Sequence, residues 1–267
     1  MPSATLDRTP SGVADGRQRE LVVAWGHPDT RAIAPVALLS FDGEKYSFAY
    51  LESAASVAGF KPLLGFPEFG VQYTSRALFP LFQQRVMDPK RPDFERYVSE
   101  LGLSGETSPW EQIYRSGGSR EGDTLQLFPV PEYADGAWTS RFLVHGMRHL
   151  LGKTVPIDGV PRGGYSVSEL ESLLGELVEG ESLELVAEET NEYTDRALLV
   201  TTRGRYPLGY VPDFLLFGVK PAHSDGRVHV FVERVNPPEA GWHLRLLARM
   251  TIDAGPNTRF FEWQSRS

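Results

Sequence analysis

The stretch from Leu183 to Pro212 limits the folds open to this chain more than any other. Leu183 and Leu185 alternate with polar neighbours, the period of a half-buried strand. Thr190-Asn191-Glu192-Tyr193-Thr194-Asp195 then interrupts with turn-forming side chains. Ala197 to Val200 is a continuous apolar run of buried-strand length. Arg203-Gly204-Arg205 supplies a tight turn, and Leu208-Gly209-Tyr210-Val211-Pro212 begins the next strand. Strands are thus joined by a polar loop whose Asn, Tyr and Asp have no explanation in core packing.

Before that stretch, three strands open the folded part: Leu21–Trp25, Val36–Ser40 and Tyr46–Tyr50. Asp42-Gly43 joins the last two as a hairpin signal. Tyr46, Phe48 and Tyr50 share one face of the third strand. Residues 54–74, with Pro62, Gly65, Pro67 and Gly70, read as irregular. Helices are expected over Leu78–Gln84, Phe94–Leu101 and Trp110–Arg115, with Pro92-Asp93 and Ser108-Pro109 starting the last two. Asp123–Pro129 closes this half as a strand. The Pro/Gly-containing segment 132–140 is expected to connect the halves.

The second half opens with a strand at Phe142–Gly146, followed by Arg148-His149. Ser166-Val167-Ser168-Glu169 is a capping box. Val167, Leu170, Leu173, Leu174 and Leu177 form the apolar stripe of the helix it starts, and Gly180 suits its stop. Later strands are expected at Val228–Val232, Leu244–Ala248 and Phe260–Trp263. The order fits a small barrel with one packed helix.

The second half resembles the HIRAN domain, a small β-barrel module. The resemblance rests on Glu188, Asn191, Tyr193, Ala197-Leu198 and Gly209-Tyr210-Val211-Pro212, with Phe142 to His149 as the family's opening element. It covers about 141–252. It implies a pocket that holds the 3′ end of single-stranded DNA with bases stacked on aromatic rings. Carried onto this sequence, Arg148 would contact phosphate, Asn191 would bond the end nucleotide, Tyr193 would stack a base and Tyr210 would lie near the pocket floor. Two departures bear on end specificity. His149 stands where the family has an aromatic, and Thr194 stands where it has the Asp that fixes the terminal hydroxyl, leaving Asp195 displaced by one residue.

The first half resembles the N-terminal subdomain of HipA-type toxin kinases. Tyr46-Ser47-Phe48-Ala49-Tyr50, Pro62 to Pro67, Leu78 to Phe82, Gly117-Gly118 and Gly122-Asp123 carry that resemblance, over about 21–131. It implies a module that docks a kinase or other effector. No catalytic loop, metal-binding Asp-Phe-Gly or phosphate-binding Gly-rich loop follows it.

Read without the resemblances, the same residues have plainer roles. Arg148 and His149 can be surface side chains after a strand. Asn191 can be a turn former, Tyr193 a lid over the barrel end, and Tyr210 part of the core. His27-Pro28-Asp29 and His223-Ser224-Asp225 lack the spacing of a metal set. Gly117 to Asp123 reads as a loop, Ser166 as a helix cap, and Glu184, Glu188 and Glu192 as a solvated acidic rim.

Net charge decides what kind of nucleic-acid contact is open. The chain carries −8, with 13 basic and 18 acidic residues before Trp138 and 14 and 17 after it, about −5 and −3. Coating duplex DNA through many phosphates calls for a basic surface, so extensive non-specific binding is not expected. A compact pocket for a strand end remains allowed. The chain has no cysteine, which removes disulfides, thiol catalysis and thiolate metal sites. With no run of eighteen apolar residues, no membrane span is expected.

The expected architecture is α+β. A tail occupies 1–20, an antiparallel sheet with helices 21–131, a linker 132–140, a HIRAN- or OB-like barrel with one packed helix 141–252, and an extension 253–267. The expected function is non-catalytic, cytoplasmic nucleic-acid binding in a regulatory or defence setting. Its partners would be single-stranded DNA or DNA 3′ ends, bound through Arg148, His149, Asn191, Tyr193, Asp195 and Tyr210 with no metal or cofactor. The alternative is an accessory protein that docks a separate HipA-type kinase through the first half.

Overall fold

The computed structural model describes residues 19–28, 33–118, 124–188, 191 and 197–258. The fold is α+β and divides into two compact units, residues 19–99 with 103–132, and 100–102 with 133–258. Each is taken by itself.

In the first unit, β1 (Arg19–Gly26), β2 (Ile33–Phe41), β3 (Tyr46–Tyr50), β4 (Gln72–Ser75) and β5 (Leu125–Pro129) make an antiparallel sheet. Its order is β4-β3-β2-β1-β5. The turn between β2 and β3 is built by Asp42, whose Oδ1 accepts from the Glu44 and Lys45 amides at 2.8 and 2.7 Å. Gly43 takes a φ of +98°, which costs a residue without Cβ nothing. In β3 the alternation holds as expected. Tyr46, Phe48 and Tyr50 are buried, while Ser47 and Ala49 are only half-buried.

Helices α1 (Pro80–Gln83), α2 (Phe94–Glu100) and α3 (Pro109–Ser116) lie between β4 and β5 in the chain. Ser108 caps α3 by accepting from the Glu111 amide, Pro109 occupies the first helical turn, and Gly117 ends the helix in the left-handed region. Trp110 and Ile113 on α3 bury into the same core as Phe48, Phe66 and Phe82. The Gly117-Gly118 pair is therefore a helix terminus. Gly118 contributes its carbonyl to the Arg85 guanidinium at 2.7 Å.

The segment expected as irregular is ordered by the sheet and contains β4. Tyr50 donates its hydroxyl to the Phe66 carbonyl at 2.8 Å and accepts from the Leu63 amide at 2.6 Å. Phe66 stacks on Phe48 with ring centroids 3.9 Å apart. One strand residue thus satisfies two loop backbone groups while its neighbour packs the loop's aromatic anchor.

The second unit holds β7 (Ala137–Leu143), β8 (Thr154–Ile157), β9 (Val160–Gly163), β10 (Ser182–Ala187), β11 (Leu198–Thr201), β12 (Pro207–Tyr210), β13 (Val228–Val235) and β14 (Leu246–Ile252). With β6 (Glu132–Ala134), six of these strands form one seven-stranded sheet of order β12-β11-β10-β13-β14-β7-β6, and β8 and β9 pair separately. Residues 132–140, expected as a linker, hold β6 and the start of β7. The residues after Ile252 also stay engaged, since Trp138 Nε1 donates to the Gly255 carbonyl at 2.9 Å.

Among the described residues, two helices belong to this unit rather than the one expected. α4 (Val167–Gly175) has the predicted capping box, with Ser166 and Glu169 bonding each other's backbone amides. It buries Leu170 and Leu174, leaves Val167 exposed and stops before Gly180. Gly180, at φ +83°, turns the chain toward β10 and donates to the Val232 carbonyl at 2.8 Å. The helix the sequence reading missed is α5 (Asp213–Ser224). Its Pro221 and dense apolar run mask the helical period, yet Leu215, Leu216, Val219 and Ala222 recur on one face and are buried. The strand expected from Leu244 begins instead at Leu246, after a 3-10 turn at Trp242–Leu244. The expected strand at 260–263 lies outside the described residues.

Removing the Tyr50 hydroxyl leaves the Leu63 amide and Phe66 carbonyl without a partner. Tyr50→Phe is expected to lower unfolding stability by about 1–3 kcal/mol in a urea melt. A change below about 0.3 kcal/mol would show that the loop is held by its aromatic packing alone.

Candidate functional site

After β7 the chain runs through Val144, His145 and Gly146 into a 3-10 turn at Met147–Leu150. There it meets the far edge of its own sheet. His145 donates its amide to the Tyr210 carbonyl at 3.0 Å, and Tyr210 returns its amide to the His145 carbonyl at 2.8 Å. β12 is one edge of the seven-stranded order, so this antiparallel bridge curls the sheet toward closure from β7 back to β12.

Two glycines make the contact possible. A Cβ at Gly209 would lie 2.4 Å from the His145 carbonyl oxygen and 2.6 Å from Val144 Cγ1, and its φ is +146°. A Cβ at Gly146 would lie 2.9 Å from Tyr210 Cδ2, and its φ is +71°. The Tyr210 ring therefore rests against the Gly146 backbone. His149 comes to the same place, with its Cδ2 3.5 Å from that Cβ position and its amide bonded to the Gly146 carbonyl at 2.9 Å. The pairing of β11 with β12 carries an irregularity between Val200 and Thr201.

Tyr210 is fixed at its other end by Glu188, a side chain the sequence reading placed on a solvated rim. Glu188 is 7% exposed. It accepts from the Tyr210 hydroxyl and, at 2.7 Å, from Asn191 Nδ2. Its amide bonds the Ala197 carbonyl at 3.0 Å, which pins the start and end of the polar loop between β10 and β11. Burial, and then the adjacent Glu188 charge and hydrogen bond, push the Tyr210 hydroxyl well above the ordinary tyrosine value. The carboxylate orients Tyr210 and Asn191; it does not face solvent as a repulsive charge. Its sequence signal is the Glu-x-x-Asn spacing directly after a strand, compatible with a local side-chain bond.

The structure thus brings Tyr210, Asn191 and His149 together around Gly146 and Glu188. Arg148 and His149 are exposed on the 3-10 turn, which Met147 and Leu150 anchor by burial. No described residue forms an ion pair with Arg148. Tyr193 and Asp195 lie outside the described residues. Leu150 joins Val155, Ile157 and Leu199 in a small core against which Tyr165 and Tyr210 pack. Among the described residues, no group of three or more His, Asp or Glu stands as a metal set. Among them too, no helix is long and apolar enough to cross a membrane. The arrangement offers an oriented aromatic ring, an amide, an imidazole and an exposed guanidinium, which suit recognition of a base and a phosphate.

No family model matches the chain, and no curated protein is significantly similar to it. Two solved structures are similar. A crystal structure of a protein from Lactobacillus plantarum shares 20% identity at a TM-score of 0.31, over 44% of this chain and 99% of the other. The crystal structure of the HIRAN domain of human HLTF shares 14% identity at a TM-score of 0.28, over 45% of this chain and 81% of the other. Likenesses this slight carry nothing about function.

Two outcomes follow from the closure. Gly209→Ala is expected to lower stability by about 2–4 kcal/mol in a urea melt, because the Cβ meets a backbone oxygen. Gly105→Ala, at a position with open space, should stay within about 0.5 kcal/mol. Since the fold favours the neutral Tyr210 hydroxyl, its stabilisation is complete below pH ~10 and is lost as pH rises through its higher folded value. Stability measured from pH 9 upward should therefore fall less steeply in Tyr210→Phe than in the wild type; parallel slopes would show that the hydroxyl is not held as described.

Proposed function

We propose that the second unit binds single-stranded DNA without catalysis, holding a strand end, the 3′ end, at the closure between β7 and β12. The observation that carries this reading is the Glu188 carboxylate buried beneath Tyr210 and Asn191. A buried charge with two side-chain donors costs desolvation and adds little to stability. It does fix the angle of a tyrosine ring and an amide, which is what stacking and hydrogen bonding to one nucleotide require. The exposed Arg148 beside them supplies the phosphate contact. The resemblance of the Asn191 and Gly209-Tyr210 pattern to the HIRAN domain supports the choice of ligand, and the overall charge of −8 supports a small footprint over a coated duplex. The regulatory or defence setting belongs to the same reading and follows from the HipA-type resemblance of the first half.

The test is fluorescence anisotropy of labelled oligonucleotides with free and blocked 3′ ends at low salt. Wild type should prefer the free end. Asn191→Ala should weaken binding of the free end and narrow that preference. Arg148→Gln should weaken both and reduce the slope of log affinity against log salt by about 0.7, the contribution of one phosphate contact on a single strand. Equal binding of both ends would remove the end reading, and no binding at low salt would remove the nucleic-acid reading.

A further inference from the structure

A second cationic and aromatic feature lies on the same unit, away from the closure, where two hairpins meet. β9 ends at Arg162 and Gly163, and the turn between β11 and β12 runs from Thr202 to Tyr206. The Arg162 guanidinium carbon lies over the Tyr206 ring, 5.2 Å from its centre. Tyr206 is 45% exposed, so the pair faces solvent.

The turn that presents this ring is rigidly built. The Thr202 amide donates to the Tyr206 carbonyl at 3.0 Å, the Arg205 amide to the Thr202 carbonyl at 2.9 Å, and the Tyr206 amide to Thr202 Oγ1 at 3.2 Å. A Cβ at Gly204 would lie 3.1 Å from two ring carbons of Tyr206, so the ring lies against the turn's own backbone. Arg205 pairs with Asp158 at 3.2 Å, in the turn of the β8–β9 hairpin, and with Glu184 of β10 at 3.4 Å. These pairs strap the two hairpins together and occupy two nearby carboxylates. Arg162 and Arg203 form no ion pair with a described residue. A surface cation pair of this kind needs no such strapping to contribute its small share to stability. Held this firmly, it is a preformed cationic and aromatic surface on a protein of net charge −8.

Its position relative to the closure selects the ligand. A Cβ at Gly163 would lie 3.6 Å from Pro207 and 3.7 Å from Leu150, so the end of β9 touches the start of β12 and the turn that carries Arg148. Tyr206 precedes Tyr210 by four residues, about 13 Å along an extended strand. Single-stranded nucleic acid stacks its bases on aromatic rings and on guanidinium planes, and its phosphates complement Arg162 and Arg203. One pocket for one end nucleotide is also much smaller than the ~4–16 nucleotides such barrels engage.

We infer that Arg162 and Tyr206 form a second base-stacking subsite, which takes an interior nucleotide of the single strand whose end occupies the closure. The inference rests on the DNA-binding reading above.

The experiment titrates the protein with labelled oligothymidines of two and twelve nucleotides, both with free 3′ ends. Wild type should bind the longer strand more tightly. Tyr206→Ala and Arg162→Ala should weaken the twelve-nucleotide strand about 5–150-fold, the equivalent of one stacked base. They should leave the dinucleotide, too short to span the ~13 Å to Tyr206, unchanged, and Tyr206→Phe should bind both as wild type does. Both replaced side chains are partly exposed, and matching thermal midpoints will show that the variants fold. If Tyr206→Ala does not fold, Arg162→Ala decides alone. Retained affinity for the longer strand in the variants overturns the subsite while leaving the closure reading standing. Equal competition by decaglutamate overturns it as well, because the patch would then be a site for acidic peptide. Failure of the wild type to bind either strand overturns both readings.

Discussion

The second unit depends on one backbone contact, the pair of hydrogen bonds between His145 and Tyr210. Two chain segments 65 residues apart in sequence approach until a carbonyl oxygen and an α-carbon are neighbours, which excludes any Cβ at Gly209. The sheet curls because its far edge must reach this point. The 3-10 turn bearing Arg148 and His149 leaves from it, and the Tyr210 ring is laid on the Gly146 backbone by it. Shape and candidate site therefore share one origin.

The electrostatics of the site follow from the same placement. A glutamate brought under a tyrosine and an asparagine loses water and gains two donors in exchange. Exposed charges farther than about 8–10 Å from the closure are largely screened, so the −8 of the whole chain bears on it less than the groups beside it do. The cations nearby, exposed Arg148 beside the closure and half-buried Arg162 over Tyr206, set the local potential. An acidic protein can in this way hold a small basic and aromatic track.

Much of the local structure was legible because it depends on neighbours in sequence. Tyr46, Phe48 and Tyr50 fall on one buried face by strand period alone, and Ser108-Pro109 and Ser166 to Glu169 start helices by capping chemistry. α5 was not legible, because Pro221 and a nearly continuous apolar run obscure the helical spacing of Leu215, Leu216, Val219 and Ala222. Nor was the β8–β9 hairpin, whose short strands carry two prolines. The segment 132–140 looked like a connection for its Pro and Gly content, yet its Asp135-Gly136 is the tight turn of a hairpin, both residues at positive φ.

For the candidate site the division is similar. Asn191 and Gly209-Tyr210 stood out as residues that core packing alone does not require, and Arg148-His149 as a polar pair after a strand. By itself the sequence determined the first three strands, the caps of α3 and α4, the polar character of the loop after β10 and the glycines, since each follows from side-chain period or from backbone freedom at one residue. Only the tertiary structure decided that Glu188 is buried beneath Tyr210, that His149 joins them, and that Arg162 reaches Tyr206 from another hairpin. Those relations are set by sheet register and closure, long-range constraints to which no local pattern of residues responds.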